Sequence, residues 1–186
     1  MLSPWFVASL LVAASPPASR LADIGPAPRT VLVDSKGRGF DLAQLRGKIV
    51  LVSFVYTTCT GVCPATTQTL VGIQHALREA KLWGNPVEFV SITLDPKRDT
   101  PEILNRYARL FGADPAAWHY LTGEPAQVDS VIKAWGMWVK SGPSGALDHP
   151  SRIFLVDPDG QQREIYNLEF LKAESIVEDV RELLRN

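Results

Sequence analysis

Two cysteines separated by three residues, in Cys59-Thr60-Gly61-Val62-Cys63-Pro64, stand where two patterns meet and leave the chain little freedom in how it folds. Before them runs Lys48-Ile-Val-Leu-Val-Ser-Phe-Val-Tyr56, too uniformly apolar and β-branched for a surface strand, which reads as a strand buried on both faces. After them Pro64, tolerated only in a first helical turn, opens a helix at about Cys63 that continues through Leu70, Ile73 and Leu77. The pair therefore marks a strand-to-helix junction. A thiol at a helix N-terminus feels the positive end of the dipole, which favours thiolate, the form that attacks disulfides and binds metals.

The 186 residues, 46% of them hydrophobic, suffice for one domain whose core needs no disulfide, which weakens a purely structural role for the cysteines. Nineteen basic and twenty acidic residues give a net charge of −1 with no basic run, and this excludes a nucleic-acid binder. Near the start, Trp5-Phe-Val-Ala-Ser-Leu-Leu-Val-Ala-Ala14 is an apolar block of about ten residues followed by small ones. It matches a secretory signal better than a membrane span of about twenty, although no Lys or Arg precedes Arg20. The expected organisation is a signal over 1–15, a Pro/Ala/Ser-rich linker over 16–28 with little reason to order, and one domain over 29–186. Export leads to an oxidising, extracytoplasmic compartment, where a close cysteine pair is a disulfide unless something reduces or metallates it.

Along the chain, Thr30 to Leu42 alternates around a Gly-bearing turn and reads as an N-terminal β-hairpin. The helix after the cysteines stops near Trp83-Gly84-Asn85-Pro86, and Val87 to Leu94 is a second apolar strand, so strand, helix and strand imply a parallel pair. Asp99 or Thr100 can cap a helix beginning at Pro101 and ending near Gly112, with Glu102 completing a capping box if Asp99 is the cap. A short strand at Trp118 to Leu121, a helix from Pro125 to Trp135, a hairpin over Ile153 to Tyr166 about Pro158-Asp159-Gly160 and a helix over Ala173 to Leu184 complete the pattern. The sum is an α/β, thioredoxin-like domain with a central mixed sheet flanked by helices.

Cys59 and Cys63 alone allow a disulfide, a redox dithiol or two thiolates of a soft-metal site, since zinc sites built on cysteine pairs need a second pair that this chain lacks. Copper(I) suits two thiolates plus an imidazole, so a histidine within reach would decide. His75 lies roughly three turns beyond Cys63 on the same helix, too far to close a site. His119 has no positional argument. His149 directly precedes the hairpin strand, which in a thioredoxin-like sheet begins beside the cysteine loop.

Four segments together carry a resemblance: Phe54-Val-Tyr-Thr-Thr-Cys59-Thr-Gly-Val-Cys63-Pro64, Leu94-Asp95-Pro96-Lys-Arg98-Asp99-Thr100-Pro101, Asp148-His149, and Ile153-Phe-Leu-Val-Asp157-Pro158-Asp159-Gly160. From roughly Gly25 onward the chain resembles the Sco/SenC family of copper-binding, thioredoxin-like proteins. The resemblance implies that Cys59, Cys63 and His149 ligate copper. It also implies a metallochaperone that delivers copper to the binuclear centre of cytochrome c oxidase or a similar enzyme, or a thiol-disulfide oxidoreductase that reduces the cysteines of that apoprotein. The implied partners are the copper-site subunit and a thioredoxin-like reductant; no nucleic acid and no firm membrane span are expected.

Two departures bear on geometry: Thr60 replaces a proline common after the first cysteine, and Pro150 makes the His149–Pro150 bond a candidate for the cis form. Asp95 and Asp99 resemble the family's acidic loop near the site, but a helix cap accounts for Asp99 without any role toward copper. Trp135, Met137 and Trp138 read as core at a helix end rather than as a methionine-and-tryptophan copper site. A peroxidase of the Pro-x-x-x-Thr-x-x-Cys type would need Thr at the position of Tyr56.

Overall fold

The computed structural model describes residues 20–59, 62–142 and 146–185; the signal expected over 1–15, the linker expected over 16–19 and the departure at Thr60 lie outside them. In chain order the elements are β1 (Gly25–Pro26), β2 (Val31–Asp34), β3 (Gly39–Asp41), a 3-10 turn (Leu42–Leu45), β4 (Ile49–Val55), α1 (Val62–Glu79), β5 (Val87–Thr93), α2 (Pro101–Phe111), β6 (Trp118–Thr122), α3 (Pro125–Ala134), β7 (Lys140–Ser141), β8 (Leu147–Asp148), β9 (Ile153–Val156), β10 (Gln161–Tyr166) and α4 (Ala173–Leu183).

β4 and β5 are buried at every position and pair in parallel from Ile49 opposite Val87 to Val55 opposite Thr93, as their uninterrupted apolar runs require. β6 continues the parallel set beyond β5, with α1 and α2 as the crossovers. On the other side of β4, β9 runs antiparallel, then turns through Pro158-Asp159-Gly160 into β10; Gly160 takes φ 72°, which a side chain would resist. The hairpin β2–β3 joins at β6 and β1 joins at β10, giving one eight-stranded mixed sheet ordered β1-β10-β9-β4-β5-β6-β2-β3. β7 and β8 form a separate two-stranded ladder.

Neighbouring residues on β4 face opposite ways, so the two faces of the sheet acquire different covers. On the Ser53 face, Ser53 meets Ser91 at 2.8 Å, Trp118 donates its indole N–H to Ser91, and Tyr107 of α2 packs on Tyr120 and bonds Thr67 of α1. On the Phe54 face, Phe54 and Phe154 meet Trp135 at the end of α3, and its indole donates to Thr30 Oγ1. Each large side chain so enclosed contributes roughly 1.5–3 kcal/mol. Helices on both faces of a mixed sheet, with a cysteine pair at the first central strand-to-helix junction, make the fold thioredoxin-like.

Residues 20–28 correct the linker expectation. Arg20 reaches Glu178, Asp179 and Glu182 of α4, Leu21 is buried, and β1 completes the edge of β10. A Pro- and Ala-rich stretch does not show in composition that its backbone will pair with a sheet edge. Trp138 is a second correction, because Trp135 and Met137 are buried as expected while Trp138 is 42% exposed beneath the Lys140 ammonium.

Candidate metal centre

The site lies at the carboxyl end of β4. β4 stops at Val55, Tyr56 accepts the Cys59 N–H through its carbonyl at 3.2 Å, and α1 begins at Val62 with Cys63 in its first turn. The Cys59 sulfur accepts the main-chain N–H of Cys63 at 3.4 Å, so it occupies a capping place at the start of α1. Cys59 is half-buried and Cys63 is 2% exposed, and the two are thiols rather than a disulfide.

Topology brings the histidine to them. β9 runs antiparallel to β4 with Phe154 opposite Val52, so the residues before β9 extend over those after β4. His149 accordingly places Nε2 3.7 Å from Cys63 Sγ. Its Nδ1 lies 2.9 Å from the Pro150 carbonyl oxygen, which can only accept, so Nδ1 carries the proton and the Nε2 lone pair faces the sulfur. His149 and Cys63 are thus together, and Cys59 touches both the Cys63 amide and, through a side-chain hydrogen bond, Tyr56. His75 is exposed on α1 and His119 bonds Glu88 on the sheet, so neither approaches the pair. Among the described residues no three His, Cys, Asp or Glu side chains already stand as a complete ligand set.

Electrostatics here run against the expectation from the helix dipole. Burial pushes the Cys63 thiol up to about 12, a main-chain hydrogen bond from Tyr56 opposes this, and Cys59 and the Asp99 charge push it further up. Desolvation outweighs the half-charge of the helix end, so without a metal Cys63 is held as thiol.

Asp99 corrects the helix-cap reading. Thr100 caps α2, its hydroxyl accepting the Ile103 N–H, whereas Asp99 is fully buried and turned toward the cysteine loop. Its carboxylate accepts the Thr57 N–H at 3.2 Å, the Thr57 hydroxyl at 2.5 Å and the Thr93 hydroxyl at 2.6 Å, tying the end of β5 to the loop two residues before Cys59. Asp95 is paired with Arg98. Among the described residues the cis peptide is Asn85–Pro86, so His149–Pro150 is trans.

The SCO1/SenC family profile matches residues 27–185. The chain belongs to that family. It is 33% identical over 155 residues to the mitochondrial protein SCO2 homolog of Bos taurus, covering 81% of this chain and 56% of that one, so it spans little more than half the length of that relative. The crystal structure of a SCO1/SenC family lipoprotein from Bacillus anthracis superposes with a TM-score of 0.79 at 27% identity, covering 86% of this chain and 95% of the other. The structure of Bradyrhizobium japonicum ScoI with copper bound superposes at 0.72 and 29% identity, covering 87% and 99%. No described helix is long and apolar enough to cross a membrane.

Sequence reasoning passed over Tyr56. Its signal was a phenol at the end of a buried strand run, a place where an aromatic with a polar tip needs a partner.

Proposed function

We propose that this chain binds one copper ion through Cys59, Cys63 and His149 and acts in an extracytoplasmic compartment as a metallochaperone. Its cargo would mature a copper centre in cytochrome c oxidase or a similar enzyme. The observation that carries the reading is the 3.7 Å between Cys63 Sγ and His149 Nε2. Two ligands bonded to one ion at about 2.3 Å (sulfur) and 2.0 Å (nitrogen) stand about 3.5–3.7 Å apart at tetrahedral to trigonal angles. Two thiolates and one imidazole form a soft donor set of the kind that suits copper(I). Cys63 must lose its proton on binding, so uptake releases protons and tightens with rising pH. Membership in a family whose Bradyrhizobium relative was solved with copper bound supports the same cargo.

Titration of the reduced full chain with copper(I) against a competing chelator tests this. His149→Ala should weaken binding by more than the roughly 10–100-fold that a partner outside the ligand set costs. Weak binding that ignores the histidine would defeat the metal site.

A second reading draws on the unequal exposure of the two thiols. Cys59, half-buried, would attack a disulfide of a copper-site apoprotein, releasing one substrate thiolate and forming a mixed disulfide; Cys63 would then attack the Cys59 sulfur, closing Cys59–Cys63 and displacing the second substrate thiolate, so that two electrons pass to the substrate and a thioredoxin-like reductant restores the pair. Reduction of a disulfide substrate by a protein whose copper binding is indifferent to His149 would favour it. Export through residues 1–15 belongs to both readings, and protein recovered from the cytoplasmic fraction with its N-terminus intact would overturn it.

A further inference from the structure

The segment that carries His149 is weakly built. β8 is two residues long, pairs with the two residues of β7, and this ladder is not hydrogen-bonded into the main sheet. A ribbon that short does not hold its place in water on its own. On the side before His149 it meets the body through the Leu147 side chain, packed against the core, and through hydrogen bonds to the Tyr56 hydroxyl.

We propose that Tyr56 is a positioning residue for the metal centre, holding the histidine arm against the cysteine loop; this deepens the copper reading above and rests on it. The Tyr56 side chain is buried and its hydroxyl lies 3.3 Å from both main-chain groups of Leu147, accepting the N–H and donating to the carbonyl. Leu147 opens β8, two positions before His149. The Tyr56 ring stands edge-on to the His149 imidazole, with centroids 5.8 Å apart and planes at 84°. The same residue serves the cysteine loop: its hydroxyl also bonds Cys59, and its carbonyl accepts the Cys59 N–H at 3.2 Å. One residue at the end of a rigid central strand thus contacts Cys59, the His149 ring and the strand that delivers the histidine. Farther along, Arg152 donates to the Gly136 carbonyl at 3.1 Å, which anchors the arm beyond His149 and leaves Tyr56 to fix the side before it.

Tyr56→Phe keeps the ring, its burial and its contact with the imidazole while removing the hydroxyl, so it separates positioning from packing. In the metal-free full chain, hydrogen exchange at the Leu147 amide should accelerate by roughly tenfold or more, because its acceptor is gone. Copper(I) affinity, read by chelator competition, should fall by about 10–100-fold, while on a His149→Ala background the same change should alter affinity little. Unchanged exchange at Leu147 overturns the proposal. So does a Tyr56→Phe variant that binds like the wild type while His149→Ala loses affinity, or one that weakens binding equally in both backgrounds. If His149→Ala itself binds like the wild type, the three-ligand reading has failed, and this inference falls with it for that separate reason.

Discussion

His149 Nε2 and Cys63 Sγ stand 3.7 Å apart although 86 positions separate them in the chain. The contact depends on which imidazole nitrogen is free, and Pro150 decides that by accepting from Nδ1 at 2.9 Å. In the neutral ring the proton should therefore sit on Nδ1. Histidine-labelled protein, observed through nitrogen–carbon-bound proton correlations, should show the Nδ1–H pattern for His149; an Nε2–H pattern would remove the lone pair from the side facing Cys63.

The two thiols should react in order. Cys63 is 2% exposed and burial pushes it up to about 12, whereas Cys59 is half-buried. Limiting iodoacetamide at neutral pH should label Cys59 well ahead of Cys63 in the reduced, metal-free chain, with urea erasing the difference. Peptide mapping by mass spectrometry reads the ratio. Equal labelling in the folded protein would contradict the burial of Cys63.

The frame of this site was legible in the sequence because its elements are strongly patterned. Ile49 to Val55 could hardly be anything other than a buried strand, and Pro64 and Pro101 set helix starts that the structure places at Val62 and Pro101. Once β9 is recognised as a hairpin strand in such a sheet, His149 is the histidine that topology brings near the pair. What stayed hidden were choices between two partners for one group. Asp99 fits a cap by local spacing, yet two threonines from elsewhere in the fold offer it three donors, and no local rule ranks those above a helix end. The dipole favours a thiolate at Cys63, yet the depth of burial that overrides it appears only when α1 closes on the sheet. Residues 20–28 look featureless because edge pairing uses the backbone, which composition does not encode.

Away from the site, Glu88 should set part of the acid limit of stability. Burial would raise its carboxyl, but hydrogen bonds from His119 and Lys48 and their charges outweigh it and hold the group below its ordinary 4.5. A depressed acid contributes stability that is fully present above 4.5 and is lost as pH falls through the folded value. Glu88→Gln should cost about 1–3 kcal/mol at pH 7, the cost of leaving the Lys48 ammonium and the His119 ring with a poorer acceptor, and progressively less below 4.5. Urea unfolding at a series of pH values reads the difference; a cost that does not shrink in acid would mean that the carboxylate charge is not what the cluster uses.

Asp99 should show the opposite pH trend. Asp99→Ala strips the acceptor from the Thr57 N–H and from the Thr57 and Thr93 hydroxyls at a fully buried position, and each donor left unpaired costs about 1–3 kcal/mol. Thr100→Ala removes a cap whose bond to the Ile103 N–H is 3.4 Å long, and should cost about 1 kcal/mol or less. The larger loss therefore belongs to the residue that does not cap. Burial raises the Asp99 carboxyl above its ordinary 3.8 despite the bonds from Thr57 and Thr93, so the charged form carries a penalty in the folded state. Folded protein holds the proton more tightly than unfolded chain; wild-type stability from this group is accordingly greatest below 3.8 and declines as pH rises through the folded value. The loss measured for Asp99→Ala by urea unfolding should then be larger in acid than at pH 8, the reverse of Glu88→Gln. A Thr100→Ala loss exceeding that of Asp99→Ala would return Asp99 to the role of an accessory to the helix start and free the cysteine loop of its tie to β5.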